Sequence, residues 1–224
     1  LGPPSAASAL SQHARHRLRF VMVAPNSDRL PEPTMKIVNE HATHVLVPSE
    51  WSAGVTMHYS ERTVMVVPHG VFPEFHERES PPVIPTLETL YAEGEFRVLH
   101  LSSSSRERKG TLKLLKAWAS LKAQEILPKK ARLLLVLTPE SRVEVMEWIA
   151  DRGYDQLALN IQPINRLGPR NEGASPAYLA TVYRSAHVLC QPSRAESFGM
   201  TGCEALACGV PIIATRATGH GQWF

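Results

Sequence analysis

The stretch that decides the fold is Pro192-Ser193-Arg194-Ala195-Glu196-Ser197-Phe198-Gly199-Met200-Thr201-Gly202-Cys203-Glu204-Ala205-Leu206-Ala207-Cys208-Gly209-Val210-Pro211. Before it, His187 to Gln191 is a short apolar run that reads as a buried strand. Met200 to Cys208 is rich in Ala and Leu, reads as a short helix, and is stopped by Gly209. Pro211 blocks any continuation, and Val210 to Thr215 is a second buried-strand run. Strand, turn, helix, strand is a βαβ unit, so its strands are parallel.

Ligands of parallel sheets sit beyond the carboxyl ends of the strands, where Ser193 to Gly199 must lie. The start of the helix leaves N–H groups without partners and carries a partial positive charge, which suits a phosphate. Gly199 lets the backbone approach that phosphate closely. Helical side chains lean toward the N-terminus, so Glu204, about one turn in, reaches a ribose diol beside the phosphates. Glu196 lies in the preceding loop and faces the other end of the ligand. A carboxylate so near a phosphate is repelled unless it meets hydroxyl groups, and a sugar supplies them. Taken singly, Glu196 also reads as a helix-capping acid and Glu204 as a solvated helix residue. The whole string favours the ligand.

This string resembles the signature of GT-B glycosyltransferases, most closely glycosyltransferase family 4, in E-S-F-G-x-x-x-x-E-A-x-A-x-G-x-P. Glu196, Ser197, Phe198, Gly199, Glu204, Ala205, Ala207, Gly209 and Pro211 match it. Val66 to Val71 resembles the family's segment near the domain junction, and Thr43 to Trp51 its V-x-V-P-S-E-W segment. Arg108-Lys109-Gly110 resembles its basic R-K-G segment, and Tyr178 to Ser193 its lead-in to the glutamates. The resemblance covers roughly residues 18 to 224 and is most specific over 192–211.

The resemblance implies an α/β, GT-B-like fold. A Rossmann-like, doubly wound parallel sheet forms the donor domain, beside the end of a second Rossmann-like acceptor domain. It implies retaining transfer of a hexosyl or other glycosyl group from a UDP- or GDP-linked donor, with no cofactor. Glu196 would be the catalytic residue that contacts the donor sugar, and Glu204 would hold the ribose. The amides of Phe198, Gly199, Met200 and Thr201 would meet donor sugar and phosphates, and Arg108 and Lys109 the leaving diphosphate. Where many relatives carry Gly-Arg ahead of the Lys, this chain has Ser102-Ser103. Some relatives use a histidine beside the reaction centre; His44, His69 and His220 are candidates by residue type alone.

The chain has 224 residues, 43% hydrophobic and 20% charged, as in an ordinary globular protein. A net charge of +3 is too weak to argue for nucleic acid. Asp occurs only at Asp28, Asp151 and Asp155, with no Asp-x-Asp pair, so a carboxylate-held metal is not expected. Cys190, Cys203 and Cys208 lie in apolar company and read as buried thiols of a reducing compartment, hence a cytoplasmic protein. No apolar run spans a membrane, which leaves peripheral contact open. No G-x-G-x-x-G follows a strand, which argues against a dinucleotide enzyme.

Residues 1–17 begin at Leu1, which suggests a fragment, and read as a disordered segment whose basic end is a loose linker. Residues 18–71 read as a partial acceptor-side domain, with strands over 18–24, 43–47 and 64–67 and helices over 33–40 and 52–59. Residues 72–91 are a Pro-rich linker, with a helical turn expected over 86–92. Residues 92–224 read as the nucleotide-sugar donor domain. Its further strands are expected over 96–101, 132–137 and 157–162, its further helices over 110–122, 141–152 and 177–184, and a polar loop over 165–175. The acceptor, a glycan, lipid, protein or small molecule, is not legible, and the fragment alone is expected to be weak or inactive. The competing reading is a truncated or degenerate relative that binds a nucleotide or partner without turnover.

Overall fold

The computed structural model describes residues 18–76, 94–102, 106–154, 161–165 and 174–223. The expected disordered start, the turn over 86–92 and most of the 165–175 loop lie outside them. The chain divides into two compact units. One comprises the described residues of Leu1–Gly70, Ala195–Gly199 and Arg216–Phe224; the other comprises those of Val71–Arg194 and Met200–Thr215.

In the first unit, β1 (Phe20–Met22), β2 (His44–Val47) and β3 (Thr63–Val66) form a parallel sheet in that order. Alternation along β2 turns Val45 and Val47 toward Met35 and Val38 of α1 (Glu32–His41) and Ala53 of α2 (Glu50–Met57). The opposite face carries Phe20, Met22 and Met65, which are exposed. Ser49 caps α2, its hydroxyl oxygen accepting the Ser52 N–H at 3.1 Å. The 3₁₀ turn Thr218–Trp223 completes this unit.

The second unit holds a five-stranded parallel sheet: β4 (Phe96–Ser102), β5 (Ala131–Leu137), β6 (Ile161–Asn165), β7 (Val188–Gln191) and β8 (Ile212–Ala214). Their spatial order is β6-β5-β4-β7-β8. One face, with Leu99, Leu134, Val136 and Leu189, packs on Ala180 and Tyr183 of α6 (Pro176–Arg184) and Ala205 of α7 (Met200–Ala207). The other face, with Val98, Leu133 and Leu135, packs on Leu115 and Trp118 of α4 (Thr111–Ala123) and Ile149 of α5 (Pro139–Ala150). Helices on both faces make the sheet doubly wound, as the near-continuous apolar strands require. Strand order reverses between β4 and β7, so the crevice beyond their carboxyl ends is the ligand position for such a sheet.

The strand expected over 157–162 overlaps β6 (Ile161–Asn165) at its last two residues, and its residues 157–160 lie outside the described ones. Among the described residues β6 pairs with β5 alone, and that edge position accommodates Pro163. One local expectation is corrected. The helix expected from Gly110 is preceded by a separate short helix, α3 (Arg106–Lys109). Gly110, at φ +74°, breaks the two apart.

Candidate functional site

In the second unit, the segment after β4 is docked on the segment after β7. The Arg194 N–H donates to the Arg108 carbonyl at 2.7 Å. Gly110 lies so close to Pro192 that a Cβ there would stand 2.2 Å from the Pro192 carbonyl oxygen. Half-buried Arg108 and Lys109 are thereby held beside Pro192–Arg194, at the switch point of the sheet. The amide of Gln191 and the hydroxyl of Ser193 are buried here with no hydrogen-bond partner among the described residues. Each buried polar group in that condition costs about 1–3 kcal/mol unless water or a ligand hydroxyl meets it. Gly202, in the first turn of α7, rests on Gln191; a Cβ there would lie 3.0 Å from Gln191 Oε1.

Glu204 is half-buried in the middle of α7, and the Tyr183 hydroxyl donates to its Oε2 at 2.6 Å. A charge-assisted bond this short fixes the carboxylate's rotamer. Sequence reasoning gave Tyr183 no role. The available signal was a tyrosine on the apolar face of α6, whose buried hydroxyl must find a partner.

Glu196, Phe198 and Gly199 belong to the first unit, whereas Arg108, Lys109, Met200, Thr201 and Glu204 belong to the second. The Glu196 N–H donates to Thr218 Oγ1 at 3.0 Å, and the Gly219 N–H donates to the Glu196 carbonyl at 2.8 Å. Thr218 holds φ +54°, which a β-branched residue adopts only when its surroundings enforce it. The Ser197 carbonyl accepts from the buried hydroxyls of Ser49, at 2.6 Å, and Ser52, at 3.0 Å. That is the physical role of the Pro48-Ser49-Glu50-Trp51 segment: it caps α2 and pins the glutamate loop. Gly199, at φ +92°, leaves no room for a side chain, since a Cβ would stand 2.5 Å from His220 Cβ. Phe198 is buried and meets the His69 ring edge-on at 5.1 Å.

Of the histidines singled out by type, His69 packs on Phe198, His44 stacks on Phe20 at 5.1 Å, and His220 is buried with Nδ1 3.2 Å from Thr218 Oγ1. Burial raises the thiols of Cys190 and Cys203 to about 11, with Glu204 adding to the rise at Cys203. Neither is a nucleophile at neutral pH. Among the described residues, no three His, Cys, Asp or Glu side chains are grouped to hold a metal ion. Nor is any of their helices long and apolar enough to cross a membrane.

Sequence reasoning also missed His100. It is fully buried, with Nδ1 2.9 Å from the Cys190 carbonyl and Nε2 2.9 Å from Thr111 Oγ1. Burial chiefly, and Lys109 secondarily, lowers its pKa from 6.5 to about 4. The unfolded chain therefore binds this proton first as pH falls. His100's contribution is intact above pH 6.5 and is lost as pH drops toward about 4, a loss on the order of 3 kcal/mol. Acid unfolding curves of wild type and His100→Gln test this: the variant should have the shallower dependence over that window, and parallel curves would refute it.

Comparison with known proteins bears on the family and the fold. Residues 95–223, more than half of the chain, match the family model described as glycosyl transferases group 1. A D-inositol 3-phosphate glycosyltransferase of Kribbella flavida is 28% identical over 92% of this chain and 50% of its own length. One from Arthrobacter sp. is 32% identical over 56% of this chain and 28% of its own. The chain thus spans about half the length, or less, of these curated relatives. Among solved structures, Anabaena Alr3699/HepE in complex with UDP and glucose superposes with a TM-score of 0.77 at 18% identity, over 100% of this chain and 60% of that one. Sucrose-phosphate synthase from Thermosynechococcus elongatus gives 0.71 at 22%, over 99% and 56%. The neighbours are GT-B glycosyltransferases, and the fold is that one.

Proposed function

This chain belongs to the glycosyl transferases group 1 family, and from that premise we propose that its protein moves a sugar from a nucleotide-sugar donor to an acceptor hydroxyl. Configuration is retained and no metal takes part. The observation that carries the reading is the second unit's switch point, where a fixed carboxylate on α7 and a docked cationic turn serve one nucleoside diphosphate. Glu204 holds the ribose diol. Arg108 and Lys109 take the charge that builds on the diphosphate as the glycosidic bond breaks, which lowers the barrier because these cations are fixed beforehand. The first-turn amides of Met200 and Thr201 face the phosphates, while Phe198 and Gly199 line the sugar end. Glu196 meets the donor sugar and sets its anomeric carbon. The acceptor oxygen attacks from the face that the diphosphate leaves, and its proton passes to the departing phosphate oxygen. The protonated thiols fit a reducing compartment, so a cytoplasmic setting belongs to the same reading, with peripheral membrane contact left open.

Titration of the chain with UDP, GDP and ADP, without added metal, tests the reading. UDP comes first because it accompanies the Anabaena neighbour. One nucleotide should bind saturably. Glu204→Ala should weaken it roughly tenfold to a hundredfold, the worth of a charge-assisted hydrogen bond. A folded chain that binds none of the three, or a variant with unchanged affinity, would overturn the donor site. A second reading, a binding module without turnover, is favoured by Ser102: it is buried and turned toward Thr111, so it offers no phosphate contact in place of the missing Gly-Arg. Nucleotide binding without donor turnover in the full-length protein would select it.

A further inference from the structure

We propose that His100 is a positioning residue for the donor's terminal phosphate, acting through the Thr111 hydroxyl on Lys109. This rests on the donor-site reading above. A carbonyl only accepts, so the bond to Cys190 fixes the ring hydrogen on Nδ1. A neutral ring then leaves Nε2 as an acceptor. Thr111 Oγ1 lies 2.9 Å from Nε2 and 2.8 Å from Ser102 Oγ. A hydroxyl has one hydrogen, so Thr111 donates to Nε2 and accepts from Ser102. The relay joins three places distant in sequence: the end of β4, the first residue of α4 and the end of β7. All its members are buried apart from Cys190, which joins through its backbone.

Its position gives it a function. Thr111 is two residues past Lys109, and the intervening Gly110 has the backbone freedom to let the turn swing. The relay removes that freedom. The side-chain charge of Lys109 is close enough to His100 to act on its ring. The backbone that carries Lys109 is thus fixed from its C-terminal side by the relay at Thr111. Only a ligand phosphate that reaches Lys109 can sense the relay.

Four variants test this: Thr111→Val, which keeps the shape without the hydroxyl; Thr111→Ser, which restores it; and His100→Asn and His100→Gln, which each keep one side of the ring's bonding. The amide of Asn reaches the Cys190 carbonyl, and that of Gln reaches toward Thr111. Affinities for UDP and UMP, and for GDP and GMP, are compared in the full chain. Thr111→Val and His100→Asn should lose roughly tenfold for the diphosphate and keep the monophosphate within about twofold. Thr111→Ser and His100→Gln should stay near wild type for both. Equal losses for both ligands would mean a merely structural role and overturn the proposal, as would no loss. If the wild type binds no nucleotide, the donor-site reading fails on its own. Amide hydrogen exchange at Gly110–Leu114 then decides the relay: faster exchange in Thr111→Val with Thr111→Ser unchanged sustains it, and no difference sinks it.

Discussion

Under the proposed function, Glu196→Gln should lower donor turnover by about 10²–10³-fold while leaving nucleoside diphosphate affinity within about twofold, because the charge it removes would act only once the sugar carries positive character. The substitution keeps the side chain's size. The loop is anchored through its main chain: the Glu196 N–H on Thr218, the Glu196 carbonyl under Gly219, and the Ser197 carbonyl under Ser49 and Ser52. The fold should therefore survive. Release of nucleoside diphosphate from UDP-glucose by the full-length protein measures turnover, and calorimetry with UDP measures affinity. A parallel fall in both would assign Glu196 to binding. Undiminished turnover would remove it from the chemistry.

Gly110→Ala should destabilise the second unit by about 2–5 kcal/mol. Two terms combine: a left-handed backbone costs an L-residue roughly 1–2 kcal/mol, and overpacking against a rigid neighbour costs about 1–3 kcal/mol. The neighbour is the Pro192 carbonyl, 2.2 Å from the new Cβ, and backbone yields less than a flexible side chain. The corresponding fall in melting temperature is roughly 10 °C. Gly54→Ala is the control. It sits inside α2 with nothing within 4 Å of a built Cβ, so it should gain about 0.5–1 kcal/mol. A Gly110→Ala melt that matches wild type would mean that the docking of the two segments is loose.

The fold was legible where periodicity was strong. Each run of Val, Leu and Ile that read as a buried strand forms a parallel strand, with β4, β5 and β7 inside the five-stranded sheet and β6, which admits Pro163, and β8 at its edges. The helix carrying Glu204 could be read because Gly209 and Pro211 stop it. What stayed hidden were contacts between residues distant in sequence. Tyr183 reaches Glu204 across 21 positions and Ser49 reaches Ser197 across 148. His100 finds the Cys190 carbonyl across 90. Neither spacing nor composition encodes such pairs: the parallel order of β4 beside β7 brings His100 to Cys190, and the return of Ala195–Gly199 to the first unit brings Ser197 to Ser49.

The first unit is discontinuous in sequence: its opening 70 residues hold only part of it, and the rest returns as Ala195–Gly199 and Arg216–Phe224. No single cut of the gene separates the two units cleanly. A fragment ending at Gly70 leaves the buried hydroxyls of Ser49 and Ser52 without the Ser197 carbonyl, while a fragment beginning after it keeps Thr218 and Gly219 but carries the Glu196 loop without its Ser49 and Ser52 anchors. Halves borrowed from different homologues face the same obstacle. Recombination of this protein with its relatives must exchange three crossing segments together, so the glutamate loop and the Pro48-Ser49-Glu50-Trp51 segment are inherited as one part.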